Sequence, residues 1–219
     1  RGIRKDKIEV ITNGSNMELF YPREADTHLL NSLDLRGKFV VGYIGTHGMA
    51  HSLDFIVRSI ARVSDPSIHF LFIGDGAMKR KIVKISKELQ LKNISFIDPV
   101  SKDEVPKYLS IIDISLAPLK KDDNFKTVIP SKIFESSAMQ KPTLLGVQGQ
   151  AQEILDKYGA GICFEPENEV DFIEKLSILR DVSFYQKCQD GCADLAADYD
   201  RKKLADKMLD VIDKIVKDQ

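Results

Sequence analysis

The sequence predicts an α/β doubly wound fold, an open parallel sheet with helices on both faces, and two observations carry that prediction. Short apolar runs rich in β-branched residues recur at 38–44, 68–73, 93–97, 112–117, 142–147 and 161–164. Strands apolar at successive positions are buried on both faces, the habit of parallel sheets. Between the runs the apolar period lengthens from that of a strand to that of a helix, and such alternation is the pattern of βαβ crossovers.

Taken in order, Lys38 to Ile44 opens the sheet, and Leu53, Ile56, Ile60 and Val63 then mark one face of a helix. Ile68 to Ile73 is the second strand, and Ile82, Ile85 and Leu89 mark the next helix face. Asn93 to Ile97 precedes a short helix that includes Val105 and Tyr108. Ile112 to Ala117, Pro142 to Val147 and Gly161 to Phe164 complete the sheet. Val170 to Leu179 is amphipathic, Phe184 to Leu195 reads as helical, and Arg201 to Lys217 carries Leu204, Met208, Ile212 and Ile215 on one face. The chain therefore reads as one principal domain, 1–200, with a final helix over 201–219.

The totals narrow the function classes. At 219 residues, 43% hydrophobic and 30% charged, the composition is that of an ordinary soluble globular protein. The net charge is −1, with basic residues scattered among acidic ones, so a nucleic-acid partner is not expected. Cys163, Cys188 and Cys192 make an odd count without metal-ligand spacing, which points to a reduced, cytoplasmic protein without a bound metal. Cys188 and Cys192, four apart, suit packing on a helix face. No apolar run approaches the roughly 20 residues that span a bilayer, and no secretory leader is evident. The chain begins at Arg1 without Met, with a periodic segment under way by Ile8, and reads as a piece of something longer.

On an open α/β sheet ligands bind beyond the carboxyl ends of the strands, so four loops matter. Gly42-Tyr43-Ile44-Gly45-Thr46-His47-Gly48 is a glycine-spaced turn that lets backbone approach a phosphate or sugar, although a tight turn alone would use the same glycines. Gly74-Asp75-Gly76 is most simply a turn that caps the helix containing Lys79. Asp98-Pro99-Val100 leaves backbone that could pair with the edge of a base. After Leu116 to Leu119 a polar stretch, Lys120 to Lys126, leads to Pro130-Ser131-Lys132-Ile133-Phe134-Glu135. That segment places a carboxylate in the first turn of a helix, beside amides that hold anions well. A phosphorylated sugar suits such a place, and nucleotide binding is the leading expectation.

These residues together resemble the carboxyl-terminal domain of retaining GT-B glycosyltransferases of family four, the glycosyl transferases group 1. The resemblance runs over nearly the whole chain. It rests on Val10-Ile11-Thr12-Asn13-Gly14 with Phe20 and Pro22, on Phe72 to Gly76, and on Ile112 to Pro118. Its most specific part is Pro130 to Pro142, followed by Gly149 and Glu153-Ile154. It implies a Rossmann-like domain that binds a nucleotide sugar, commonly UDP-linked, opposite an amino-terminal domain that supplies most of the acceptor site, with the final helix crossing back to that domain.

On this resemblance Glu135 holds the donor ribose and Ser131 and Lys132 lie by the diphosphate; the loop of Gly45, Thr46, His47 and Gly48 is expected to complete the cradle, and the exposed backbone at Val100 to meet the base. The family often carries a second Glu eight positions before the ribose glutamate, where this chain has Thr127. The usual basic pair after the first strand falls on Thr46 and His51. Neither is a fixed cation, so the donor sugar and part of the leaving-group stabilisation depart from the usual pattern. His47 and His51 could supply a proton or a positive charge, a surface histidine beside a glycine turn being the commoner alternative.

The implied reaction is hexosyl transfer with retention to a glycan or lipid-linked acceptor, without cofactor or metal. Asp122-Asp123 reads as loop charge, and peripheral membrane association of a full-length protein is compatible with such acceptors. A sugar-nucleotide epimerase of related two-domain build and a noncatalytic nucleotide-binding module are the alternatives.

Overall fold

The structure, a computed structural model, describes residues 2, 4 and 7–217. Six parallel strands form one sheet: β1 Phe39–Ile44, β2 Ile68–Ile73, β3 Ile94–Ile97, β4 Ile114–Pro118, β5 Thr143–Gly146 and β6 Gly161–Cys163. Their order is β3-β2-β1-β4-β5-β6. The helices are α1 Thr27–Ser32, α2 Leu53–Ile60, α3 Lys79–Glu88, α4 Val105–Ser110, α5 Lys132–Ala138, α6 Gln150–Tyr158, α7 Glu169–Ile178, α8 Val182–Asp198 and α9 Arg201–Lys217. The expected doubly wound, Rossmann-like fold with a helical tail is the one observed.

Alternation of side chains along β1 builds both layers. Val41 and Tyr43 join Ile56, Ile82, Phe172 and Leu176 in a core under α2, α3 and α7. Val40 points the other way, with Leu71, Leu29, Leu109 and Met139, under α1, α4 and α5. Ala117, Leu145, Phe134, Leu155 and Cys192 continue that second layer beneath α5, α6 and α8. Each fully buried aliphatic or aromatic side chain contributes about 1.5–3 kcal/mol by leaving water, so these two layers dominate stability. Cys188 and Cys192 are both buried on α8, in line with helix-face packing.

Polar side chains fix where several helices begin. Asp26, Asn168 and Asp181 accept from the backbone N–H of Leu29, Asp171 and Phe184, closing the starts of α1, α7 and α8. α3 differs from the sequence expectation. No side chain caps it, and the Gly74-Asp75-Gly76 turn serves another purpose, described below. The periodic segment from Ile8 is also not a regular element: residues 8–14 are neither helix nor strand, and Ile8 and Val10 are exposed. This segment is tied down at Ser15, which bridges Asp200.

Candidate functional site

The chain moves outward from β1 to β2 and β3, then returns to β4 on the opposite side of β1. At such a switch point two successive loops part and leave a crevice at the carboxyl ends of the strands. A cleft of about 270 Å³ lies there, walled by Gly45 and Thr46 after β1, Val105 and Leu109 of α4, and Ser131, Lys132 and Glu135 at the start of α5. A second cleft of about 270 Å³ shares Gly45, Thr46 and Val105 with the first and runs on to Gly74, Asp75, Pro99 and Val100. The two form one trough along the rim of the sheet.

Glycines set the floor of this trough. Gly45 and Gly74 have φ of 141° and 138°, where a side chain is strained, and a Cβ on Gly74 would lie 2.0 Å from the Gly45 carbonyl oxygen. A Cβ on Gly76 would lie 2.6 Å from the carbonyl oxygen of His47. His47 N–H donates to the Asp75 carbonyl at 2.7 Å, and Met78 N–H to the His47 carbonyl at 2.9 Å. Gly74-Asp75-Gly76 thus docks the β2 exit onto the β1 exit rather than capping α3 through its aspartate. Lys79 Nζ adds a staple by donating to the carbonyls of Gly74 and Ile97, at 2.7 and 3.0 Å, and to Asp98 Oδ1 at 2.9 Å.

The start of α5 brings chemistry to that floor. Ser131 sits at the N-cap without a side-chain cap bond, and the amides of Ser131 and Lys132 have no acceptor among the described residues. Lys132 reaches back across the cleft: its Nζ lies 4.5 Å from the centroid of the Tyr43 ring and would be 2.7 Å from a Cβ on Gly45. Burial pushes its pKa down to about 8, against the pull of Glu135. Burial in turn raises the Glu135 carboxyl, while Lys132, Lys102 and Arg201 oppose the shift. Among the described residues neither side chain has an ion-pair or hydrogen-bond partner, so a cation and a carboxylate face one cleft with their bonding capacity unspent.

Of the residues singled out in the sequence, Gly45, Thr46, Ser131, Lys132 and Glu135 come together in the first cleft, and Val100 joins Gly45 and Thr46 in the second. The Val100 N–H and C=O make no hydrogen bond among the described residues and are free to pair. His47, Gly48 and Thr127 lie outside both linings.

His47 corrects the surface reading outright. It is fully buried between Tyr43 and Phe72, with ring centroids 5.6 and 6.2 Å away, and neither ring nitrogen has a hydrogen-bond partner among the described residues. Burial, helped by Lys79, pushes its pKa to about 4, so the ring is neutral near pH 7 and carries no charge to a ligand. Burial also lowers His51. Thr127 ends an exposed 3-10 turn, Asp123–Thr127, anchored where a Cβ on Gly149 would meet the Lys126 carbonyl oxygen at 2.3 Å.

The sequence reading passed over Tyr43 as a support for Lys132, and Ser115 and Ser136 as wall residues. A phenol in a strand whose other side chains carry no polar group is the available signal for Tyr43. Among the described residues no group of three or more His, Cys, Asp and Glu side chains could hold a metal ion.

Glycosyl transferases group 1 is the family that matches residues 38–181, from β1 to just beyond α7. The chain belongs to this family. TuaH of Bacillus subtilis, named for glycosyl transfer in teichuronic acid biosynthesis, is 30% identical over 77% of this chain and 41% of its own length. The chain spans about two fifths of the curated relatives it matches. Among solved structures, Anabaena HepE in complex with UDP-glucose superposes with a TM-score of 0.79 at 17% identity, over 97% of this chain and 59% of that one. The carboxyl-terminal domain of LpcC from Francisella tularensis, a group 1 glycosyltransferase, gives 0.69 at 19% identity over 86% of this chain and all 100% of that domain. At these identities the superpositions establish the fold of this group 1 chain.

Proposed function

We propose that this chain is the donor-binding part of a glycosyltransferase that transfers a hexose-type sugar from a UDP-linked donor, with retention, to a glycan or lipid-linked acceptor. One observation carries the reading: Lys132 and Glu135, on the first turn of α5, face the same cleft as Gly45 and Thr46, and among the described residues neither side chain has an ion-pair or hydrogen-bond partner. The diphosphate would lie against Lys132 and the free amides of Ser131 and Lys132, where the helix start is positively polarised. Glu135 would accept two ribose hydroxyls, and the base would enter the second cleft against the backbone of Val100. HepE, of like fold, has been solved with UDP and with UDP-glucose, which supports a UDP-sugar here.

Transfer requires the anomeric C–O bond to break as negative charge collects on the diphosphate. Fixed dipoles and one ammonium aimed at that oxygen lower the barrier most when they need no reorganisation. The neutral, buried His47 is left out of that work. Thr127 is proposed at the sugar end, where its exposed hydroxyl stands in place of the family's second glutamate. Residues 1–200 are proposed as the donor-binding domain, and 201–219 as a helix that reaches a second domain. The exposed apolar side chains of α9 support that division. The acceptor site would belong to the second domain, at a cytoplasmic membrane face.

Calorimetric titration of UDP tests the reading. The 219-residue chain should bind, and Glu135→Ala should bind roughly 10- to 100-fold more weakly, the loss of hydrogen bonds to a charged acceptor. Equal affinity would remove the ribose role. No sugar transfer is expected from the 219-residue chain alone, and turnover would contradict the proposed division.

A further inference from the structure

The site uses Tyr43 twice. Its ring lies under Lys132 Nζ at 4.5 Å, and its hydroxyl donates to the Thr46 carbonyl at 2.6 Å. The first contact holds the one cation of the cleft, and the second holds the turn whose backbone forms the opposite wall. The ring is fully buried, and burial raises the phenol well above its ordinary pKa, so it stays un-ionised.

We propose that Tyr43 is the positioning residue of the diphosphate site, seating the Lys132 ammonium on its ring and fixing the Gly45-Thr46 turn through its hydroxyl, so that cation and amides converge on one anion. This rests on the reading of the cleft as a nucleotide-sugar site.

The chemistry around Lys132 makes the proposal testable. The groups that face it are Tyr43 from β1, His47 and His51 from the segment after β1, and Glu135 from its own helix. Both histidines are held below their ordinary value, and Lys132, at about 8, is the cation expected to lose its charge as the pH rises. A diphosphate favours the ammonium over the free amine. With the terminal phosphate of UDP, whose second pKa is about 6, already ionised, binding should be level from pH about 7 to about 8 and weaken up to tenfold per pH unit above that. A cation on an aromatic face is stabilised relative to the amine, so deleting the ring moves the onset of weakening to lower pH.

The experiment is UDP titration into the 219-residue chain between about pH 7 and 9, above the second pKa of the ligand's phosphate, with thermal melting of each variant as a check on folding. For Tyr43→Leu, or Tyr43→Met if the leucine variant does not fold, the onset should fall by about 0.5–1 pH unit. Tyr43→Phe keeps the ring and should leave the onset in place while lowering affinity about three- to tenfold at every pH, the effect of one lost hydrogen bond. Lys132→Arg should abolish the pH dependence, because guanidinium does not titrate in this range.

A ring that served only to fill space would weaken binding equally at all pH values, and an unmoved onset in both ring-deleting variants would overturn the proposal. Wild-type affinity in Tyr43→Phe would overturn the part played by the hydroxyl. Failure of the unmodified chain to bind UDP would instead defeat the nucleotide-sugar reading, and this inference with it.

Discussion

Gly74 stands so close to Gly45 that the Cβ of an alanine there would lie 2.0 Å from the Gly45 carbonyl oxygen. Backbone thus meets backbone where the β1 and β2 exits form the floor of the trough. Gly74→Ala has no flexible side chain to push aside, and its φ of 138° adds strain. The variant should lose at least about 2 kcal/mol in urea denaturation and bind UDP more weakly. Gly48→Ala is the control. Its Cβ would stand 3.4 Å from His51 Cδ2 at a φ of −90°, and it should stay within about 0.5 kcal/mol of the parent.

His47 makes the fold sensitive to acid. Its folded-state pKa of about 4 lies below the ordinary 6.5, so between these values the unfolded chain binds the proton that the folded chain refuses. The stability its neutral form permits is fully present above pH 6.5 and is lost as pH falls toward 4, by a total of about 3 kcal/mol. Urea denaturation at pH 7, 5.5 and 4.5 should show that decline, and His47→Phe should flatten it. Because neither ring nitrogen has a hydrogen-bond partner among the described residues, the replacement breaks no such bond and should cost little at pH 7. A decline of equal size in the variant would assign it to other groups.

The same histidine shows where sequence reading stops. Strand positions were legible because burial on both faces of the central strands leaves short, mostly apolar runs, and the six runs fall within a few residues of β1 to β6. The Ser131, Lys132 and Glu135 cluster was legible because one helix turn sets it. α1 escaped notice because its six residues bury only Leu29, and α6 because it buries only Ala151 and Leu155. Whether His47 faces water or the core depends on the β2 exit closing over it, and the Tyr43 contact with Lys132 joins distant segments. Neither leaves a local periodicity to read.

Lys79 should prove structural. Its Nζ is bound to two carbonyls and to Asp98, with the side chain only 15% exposed. Lys79→Met keeps the stem but frees the Gly74 carbonyl at the β2 exit and leaves the Ile97 carbonyl with the Gly74 N–H alone. A loss of about 1–3 kcal/mol is expected, with faster amide exchange at Gly74 and little change at Glu135. A loss of UDP affinity without loss of stability would instead place the ammonium on the ligand.

α9 offers the last contrast, because most of its apolar face is exposed among the described residues. Met208, Leu209, Ile212 and Ile215 are 53%, 58%, 45% and 57% exposed, and the helix buries none of its residues. Lys207 pairs with Glu9 at 2.6 Å, an exposed contact that contributes little to stability. Replacing Leu209 and Ile212 with Glu removes no fully buried side chain here, so the melting temperature of the 219-residue chain should stay within about 2 °C of the parent. If α9 reaches a second domain as proposed, the same pair of substitutions in a full-length protein would set two carboxylates into an apolar interface and reduce transfer. Melting that falls in the short chain would show that α9 packs onto the donor-binding domain itself, and would redirect the search for the helix that joins the two halves.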